Sequence, residues 1–330
     1  MAAAAVVLAV LVGLSPVTVE RRVHRAAPCP EGMTVRVIHR YGDVAVTGQP
    51  TDSVTLVAVI RATAEDPEVA QLLADSMIDV LLGRRGETLF VTTRYPRDLE
   101  PGPDLSYDVR LGLAVPGTAF VLATSSFGDL SVCDLRGGCR LDSRFGNVDI
   151  EGARDCEVTS RYGDVHVARS DGELAVQSSY GDVVLDEVSD RVTVDNRYGN
   201  LDSDGASGVV YLDNRLGRVT ARRSSGRMMV VNRFGDVEAW VDDSGLAELD
   251  VMAELGRVEI NLAQRIPWQL GGRTVRGLIE SALPLEVRVH AEGREVTGGQ
   301  GTGGPRIGLV GSWADFFIRS VKPGEATPDE

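Results

Sequence analysis

The sequence contains few of the residues on which enzyme active sites depend. Histidine occurs only four times in 330 residues, without the close spacing of metal ligands, at His24, His39, His166 and His290. No serine nucleophile elbow, phosphate-binding P-loop or dinucleotide-binding fingerprint is present. These absences predict that the protein is not an enzyme and that it uses neither a metal nor another cofactor.

Aromatic residues are also scarce, at 5% of the chain, although 43% of it is hydrophobic. The apolar residues are mostly valine, leucine and alanine, which suit short β-strands with small interior side chains. The formal net charge is −14, so most of the surface repels a phosphate backbone. We therefore expect an all-β protein that does not bind nucleic acid.

Against this background, a short motif recurs about every 18 residues: an aromatic residue, then glycine, then an acid or an amide. It reads Arg-Tyr-Gly-Asp-Val around Tyr162 and Ser-Tyr-Gly-Asp-Val around Tyr180. A motif with a fixed short period indicates stacked structural repeats. The glycines that we predict to lie at turns are Gly42, Gly128, Gly146, Gly163, Gly181, Gly199, Gly217 and Gly235.

Apolar and polar residues alternate on both sides of each glycine, with the alternation shifted by one residue across it. Cys156 and Val158 precede Gly163 in this pattern, and Val165 and Val167 follow it. Glycine tolerates the positive φ of such a turn. Each unit therefore holds two short strands, and units must stack to bury their apolar faces. The predicted fold is a single-stranded parallel β-solenoid with coils of about 18 residues, two strands per coil and one inserted α-helix near the N-terminus.

Arginine recurs two residues before the glycine, and an acid or amide recurs one residue after it. The arginines are Arg144, Arg161, Arg197, Arg215 and Arg233. Two interpretations stay open: a salt-bridge ladder across the turn, or a surface stripe that binds an anion or a polysaccharide. Strict alternation places Tyr162, Tyr180 and the equivalent aromatic residues inside, as an internal stack. The serines and asparagines three residues before the glycine are expected to form an internal hydrogen-bond ladder.

Only four cysteines are present, namely Cys29, Cys133, Cys139 and Cys156. Cys139 and Cys156 occupy the same inward position in adjacent units, so we expect them to be direct neighbours. They are either two small buried side chains or the two halves of a disulfide between units. Export to an oxidising compartment would permit the disulfide.

The chain divides into three predicted parts. Residues 1–19 contain an almost wholly apolar run that predicts a signal peptide or a membrane anchor. Residues 20–320 form the β-solenoid, and residues 321–330 form a disordered tail. Within the solenoid we expect a helix at 66–82, strands at 54–61, 87–93, 105–115 and 119–126, regular repeats at 119–242 and degenerate closing repeats at 249–320.

The repeated motif, the strand that ends at Leu113-Ala114-Val115-Pro116 and the closing segment from Ile307 to Ile318 together resemble a known family. It is the bacterial putative-adhesin family of β-strand-repeat proteins, whose relatives include the head domain of putative autotransporter adhesins. The resemblance covers roughly residues 33–320. It implies an extracytoplasmic, often membrane-tethered β-solenoid with no catalytic residues to transfer to this chain.

Three functions are compatible with these observations. The leading hypothesis is a non-enzymatic cell-envelope scaffold that acts in adhesion or binding, with a cell-surface glycan as its partner. The alternative is an envelope-stress regulatory or accessory protein that binds a membrane protein. The third is a polysaccharide-active enzyme on a β-helix, which requires a groove with clustered acidic and basic side chains. All three place the protein outside the cytoplasm, either exported or membrane-tethered.

Overall fold

The computed structural model describes residues 16–96, 101–102, 105–242 and 245–321. The apolar run at residues 2–14 and the tail from residue 322 lie outside the described residues. Within the described part, no helix is both long enough and apolar enough to cross a membrane.

One helical segment interrupts the strands near the N-terminus. Helix α1 spans Pro67–Leu72, and a π-helical turn continues it over Leu73–Met77. The Asp66 side chain caps the helix by accepting a hydrogen bond from the amide of Glu68 at 2.8 Å. The segment is shorter than the predicted 66–82, because the chain from Asp79 onward pairs as a strand in a hairpin.

Seven strands surround this segment. They are β1 (Val17–Pro28), β2 (Thr34–Tyr41), β3 (Val44–Gln49), β4 (Ser53–Ala64), β5 (Asp79–Arg85), β6 (Thr88–Arg94) and β7 (Leu105–Pro116). Several of them pair antiparallel, as β1 does with β4, β4 with β7 and β5 with β6. The chain can reverse because tight turns, such as the one at Gly86 with φ of +61°, connect these strands.

The regular repeats follow, with a longer strand before each turn glycine and a shorter one after it. The strands before the glycine are β8 (Phe120–Phe127), β10 (Cys139–Phe145), β12 (Arg154–Tyr162), β14 (Asp171–Tyr180), β16 (Arg191–Asn196), β18 (Val209–Leu216) and β20 (Gly226–Phe234). Those after it are β9 (Leu130–Cys133), β11 (Val148–Glu151), β13 (Val165–Ala168), β15 (Val183–Asp186), β17 (Leu201–Asp204), β19 (Val219–Arg222) and β21 (Val237–Val241).

The C-terminal strands are longer and less regular. They are β22 (Leu246–Ala263), β23 (Trp268–Thr274), β24 (Ile279–Ser281), β25 (Glu286–His290), β26 (Gly293–Gln300) and β27 (Arg306–Val321). Strand β22 pairs in parallel with β27 from Glu248 to Ala263. Strand β26 pairs antiparallel with both β23 and β25.

The prediction of a single-stranded parallel β-solenoid is wrong. The described strands form one sheet of 27 strands that mixes parallel and antiparallel pairs and wraps into a nearly closed, barrel-like shape. Neighbouring regular units do pair in parallel, as Cys139 and Cys156 show. The antiparallel pairs at both ends of the chain make the sheet mixed, because these segments reverse through hairpins instead of completing a unit. The all-β class is confirmed.

The core lies between the two halves of each unit. Aliphatic side chains point inward from the strand before the glycine and from the strand after it. The fully buried residues before the glycine are Leu141, Val158, Val176, Val194, Leu212 and Val230. Those after it are Val148, Val165, Val183, Leu201, Val219 and Val237. This core fixes which side chains remain outside at the corner of each unit, and the candidate site is built there.

Candidate functional site

The corner of each unit lies at the predicted glycine. The eight glycines have φ between +108° and +140°, a conformation that L side chains rarely adopt. At Gly181, a Cβ atom would also lie 2.2 Å from the carbonyl oxygen of Gly163 in the preceding unit. Backbone therefore packs directly on backbone at this corner, and the residues on either side of the glycine are held at a fixed spacing.

The acids and amides after the glycine hold adjacent units together. Each Oδ1 accepts a hydrogen bond from the backbone amide of the equivalent residue in the next unit, at 2.7–3.1 Å. The acceptors are Asp43, Asp129, Asn147, Asp164, Asp182, Asn200 and Asp236. These carboxylates and amides are structural, and we refer to the series as the Asx ladder.

Of the two interpretations of the arginine series, the salt-bridge ladder between the arginines and these acids is not found among the described residues. Among the described residues, no carboxylate lies within 4.0 Å of the guanidinium groups of Arg144, Arg161, Arg197 or Arg215. Arg233 does form an ion pair, with Asp213 on the adjacent strand at 3.3 Å. The Asx ladder explains the difference, because its side chains turn toward backbone amides rather than across the corner. We call Arg144, Arg161, Arg197, Arg215 and Arg233 the arginine column. Most of its guanidinium groups therefore have no ion-pair partner among the described residues.

The prediction that the aromatic side chains point inward is also wrong. Phe127, Phe145, Tyr162, Tyr180 and Tyr198 have between 38% and 45% of their surface exposed. The chain begins to bend at the arginine, so the arginine and the aromatic residue after it both point outward and strict alternation fails there. Starting from Tyr41, the rings stack with centroids 4.8–5.4 Å apart and interplanar angles of 4–12°.

This stack continues as a longer apolar surface. The same position in later units holds large exposed residues paired in register. We call the series the apolar ridge; it comprises Tyr41, Phe127, Phe145, Tyr162, Tyr180, Tyr198, Leu216, Phe234, Leu255 and Trp313. With strands about 4.8 Å apart, the ridge is about 43 Å long. Exposed apolar surfaces that are contiguous over such a length commonly mark interaction sites.

The ridge and the arginine column favour the same kind of ligand. Because the ring faces are stacked on each other, the rings present mainly their edges to solvent. Ring edges carry partial positive charge, and the guanidinium groups beside them carry full positive charge. The corner is therefore an elongated surface suited to a ligand with apolar and anionic groups.

The serines and asparagines three residues before the glycine lie inside the same corner. Ser143 and Ser160 donate to the carbonyl oxygen of the turn glycine in their own unit, at 3.2 and 3.4 Å. Asn232 donates to the carbonyl oxygens of Gly217 and Asp236. In these units the internal hydrogen bonds go to backbone carbonyls at the corner, whereas Ser178 Oγ and the side-chain amide of Asn214 are buried without a hydrogen-bond partner among the described residues.

His39 occupies this inner position in the first unit. Its Nδ1 accepts from the Thr93 hydroxyl at 3.0 Å if Nε2–H donates to the carbonyl oxygen of Val109 at 2.7 Å. Burial lowers the pKa of His39 to about 4. Burial likewise raises the pKa of Tyr95 to about 12, and its ring packs edge-on against Tyr41 at the start of the ridge.

Cys139 and Cys156 face each other on adjacent strands, with their sulfur atoms 2.6 Å apart. Both are buried and present as free thiols. The contact with Cys156, together with burial, raises the pKa of the Cys139 thiol. The disulfide between these units stays a prediction. Elsewhere in the described chain, no group of three or more His, Cys, Asp and Glu residues is arranged to hold a metal ion.

Comparison with known proteins gives distant structural likeness only. No family model and no curated protein sequence matches the chain. A solved putative adhesin from Bacteroides fragilis is 12% identical over 91% of this chain and 97% of its own, with a TM-score of 0.35. A putative lipid binding protein from Parabacteroides distasonis is 12% identical over 91% of this chain and 96% of its own, with a TM-score of 0.33.

A third solved structure, a putative cell adhesion protein from Clostridium sporogenes, is 7% identical over 92% of this chain and all of its own. Its TM-score is 0.23. At these identities and TM-scores the likeness assigns neither a family nor a function to the chain. The function is therefore inferred from the side chains at the corner of each unit.

Proposed function

We propose that the protein is a non-enzymatic, extracytoplasmic binding scaffold of the adhesin type, which holds an acidic glycan along the apolar ridge. The observation that carries this proposal is that four arginines beside the ridge have no carboxylate partner among the described residues, namely Arg144, Arg161, Arg197 and Arg215. The extracytoplasmic location is supported by the apolar run at residues 2–14 in the sequence.

The positive charge of the arginine column calls for a negatively charged partner. The chain has a formal net charge of −14, so acids are abundant enough to neutralise every arginine. Arg144 and Arg161 nevertheless lie in adjacent units, about 4.8 Å apart at the backbone, with no carboxylate of the described chain within 4.0 Å of either guanidinium. Like charges at this spacing repel, and an anionic ligand removes the repulsion.

The spacing of these side chains favours a polymeric partner. Arginines and rings recur in most units along a line, with Ser179 in place of the arginine at the Gly181 corner and Leu216 in place of the ring at the Gly217 corner, so the site is nearly periodic in one dimension. A polymer with regularly spaced carboxylates can make the same contact in several units at once, which raises its avidity. Guanidinium groups bind carboxylates through two parallel hydrogen bonds. The overall negative charge favours a weakly acidic glycan over a densely charged nucleic acid.

The test uses the unpaired arginines directly. The full chain is titrated onto immobilised polygalacturonate and, in parallel, onto neutral dextran. We expect wild-type protein to bind only the acidic polymer, and the double variant Arg144→Gln/Arg161→Gln to bind it at least about a hundredfold more weakly, since each of the two lost charge-assisted contacts contributes about 1.5–3 kcal/mol.

The matched control is Arg140→Gln/Arg169→Gln, which removes the same charge from arginines paired with Glu157 and Glu151. Equal weakening by both double variants would reduce the effect to net charge and overturn the proposal. So would wild-type protein that binds no acidic glycan. Retention by membrane vesicles only while their proteins are intact would instead favour the envelope-partner function.

A further inference from the structure

The apolar ridge first changes character at the corner of Gly217; the later corner Leu255-Gly256-Arg257 is similar, but its Arg257 is paired with Glu259. Most corners with a tyrosine or phenylalanine have an acid or amide after the glycine, as in Arg161-Tyr162-Gly163-Asp164. The corner at Gly217 instead reads Arg215-Leu216-Gly217-Arg218. It is the point at which leucine first replaces the ring and arginine first replaces the Asx residue.

The replacement of the ring produces a notch. The stacked series of rings ends at Tyr198, and the next ring along the ridge is Phe234, two units further on. Leu216 lies between them and is 49% exposed. A leucine side chain is shorter than a tyrosine, so the ridge dips here. The dip lies between the rings of Tyr198 and Phe234, whose backbones are about 10 Å apart, whereas rings in the stack from Tyr41 to Tyr198 cover one another's faces.

The replacement of the acid places positive charge on both sides of the notch. Arg215 lies on one side of Leu216 and Arg218 on the other, and both are exposed. No carboxylate of the described residues lies within ion-pairing distance of either guanidinium. Two unpaired guanidinium groups therefore flank an apolar floor.

Arg218 also weakens the fold locally. Its backbone amide still donates to Asn200 Oδ1 at 3.0 Å, so it receives the ladder bond from the preceding unit. Its side chain has no acceptor atom, so it cannot pass the bond on to the amide of Asp236. The Asx ladder is interrupted at Arg218, so this residue contributes no side-chain hydrogen bond to the stacking of the next unit. A residue that costs a structural bond and adds an unpaired charge is better explained by a ligand.

We infer that this notch is the specificity site of the ridge and that it takes one uronic-acid ring of the bound glycan. The inference rests on the proposed function. The sugar ring lies between the faces of Tyr198 and Phe234, with its apolar C–H face against the rings and Leu216 beneath it. Its carboxylate accepts hydrogen bonds from Arg215 or Arg218. A neutral sugar of the same shape would leave both guanidinium groups unpaired.

The experiment converts the notch into a regular corner. The variant Leu216→Tyr/Arg218→Asp gives this corner the sequence Arg-Tyr-Gly-Asp-Val, which is that of the corner at Gly163. We expect it to melt at the wild-type temperature or higher, because the new ring completes the stack and the new acid can accept from the Asp236 amide. Binding of a short oligogalacturonate, measured by calorimetry on the full chain, should weaken at least about tenfold.

Three further variants separate shape, charge and position. Leu216→Phe keeps both arginines and fills the notch, and it should also lose the short oligogalacturonate. Arg140→Gln/Arg169→Gln lowers the net charge as much as the regularised variant does, and it should retain binding. Tyr162→Leu/Asp164→Arg builds the same corner at another unit, and it should add a second binding site.

Wild-type affinity for the oligogalacturonate in both notch-filled variants would overturn the inference. If Arg144→Gln/Arg161→Gln still weakened binding of the polymer in that case, the proposed function would stand without this site. If wild-type protein bound neither the polymer nor the short oligomer, the proposed function itself would fail. An equally tight interaction with a neutral oligosaccharide would contradict the roles of Arg215 and Arg218.

Discussion

Strands in the regular repeats and strands at the N-terminal end find their partners in different ways. From β8 to β21, each strand pairs in parallel with the equivalent strand of the neighbouring unit. At the N-terminal end, β4 lies between β1 and β7 and pairs antiparallel with both. The partners of β4 are therefore distant in sequence, whereas those of the repeats are one unit away.

The difference has a structural purpose at the end of the sheet. The backbone groups at the strand edges of a regular unit pair with the next unit. The first unit has no regular neighbour on one side, so other segments must cover it. Helix α1 and the π-helical turn lie beside β1, where the Arg21 guanidinium donates to the carbonyl oxygen of Asp75 at 3.1 Å. The irregular segment thus packs against both β1 and β4, at the end of the chain where the regular units stop.

The largest expected effect is the loss of a corner glycine in the repeats. Gly181→Val should lower the free energy of unfolding by about 4 kcal/mol or more, because positive φ and a contact with the backbone of Gly163 act together. Chemical denaturation measures it. The matched control is Gly83→Val in the N-terminal hairpin, where a Cβ atom meets nothing within 4 Å. Equal stability of the two variants would show that the corner does not constrain the fold.

A smaller effect distinguishes the two regions by pH. His39 is neutral in the folded protein because its pKa is about 4, whereas the unfolded chain binds a proton near the ordinary pKa of 6.5. Stability contributed by His39 is therefore complete above about pH 6.5 and is lost as the pH falls toward 4, by about 3 kcal/mol in total.

The variant His39→Asn places here the residue that Asn196 provides in the repeats. We expect its free energy of unfolding to fall less steeply than that of wild type between pH 6.5 and 4. Denaturant titrations at a series of pH values measure both proteins. Parallel curves for the two would mean that His39 does not titrate differently on folding.

The smallest effect concerns the Asx ladder. Asp182→Ala removes the acceptor for the Asn200 amide and should cost about 1 kcal/mol. Asp149→Ala, an exposed acid on the outer face whose described contact is with His166, should change stability by less than about 0.5 kcal/mol. Thermal melts of the two variants make the comparison, and a larger loss for Asp149→Ala would reverse the assigned roles.

The sequence predicted the repeats better than the ends. The strands that we expected at 54–61, 87–93, 105–115 and 119–126 lie within three residues of β4, β6, β7 and β8. The antiparallel pairing of β4 with β1 and β7 has no repeated pattern, and it depends on packing between distant segments. The end of the helix was missed because Val80 and Leu81 fit a helix as well as a strand, and pairing of Leu81 with Thr92 decided between them.

The site was only partly predictable for a related reason. The period gave the positions of Arg144 and Arg161, but alternation alone placed Tyr162 inside. Alternation holds along a straight strand and fails through a corner, where two successive side chains can both point outward. A signal was available in the composition, since rings are rare in the chain yet recur at this one position.

The backbone contact at each corner has an evolutionary consequence. Most unit-to-unit bonds along the ridge are of one kind, so duplication or loss of a whole unit in the gene would create no new type of junction. Insertion of a few residues within a corner would instead separate Gly181 from Gly163 and break the line of rings. Proteins encoded by related genes should therefore have ridges that differ in length by whole units, while their terminal segments vary independently.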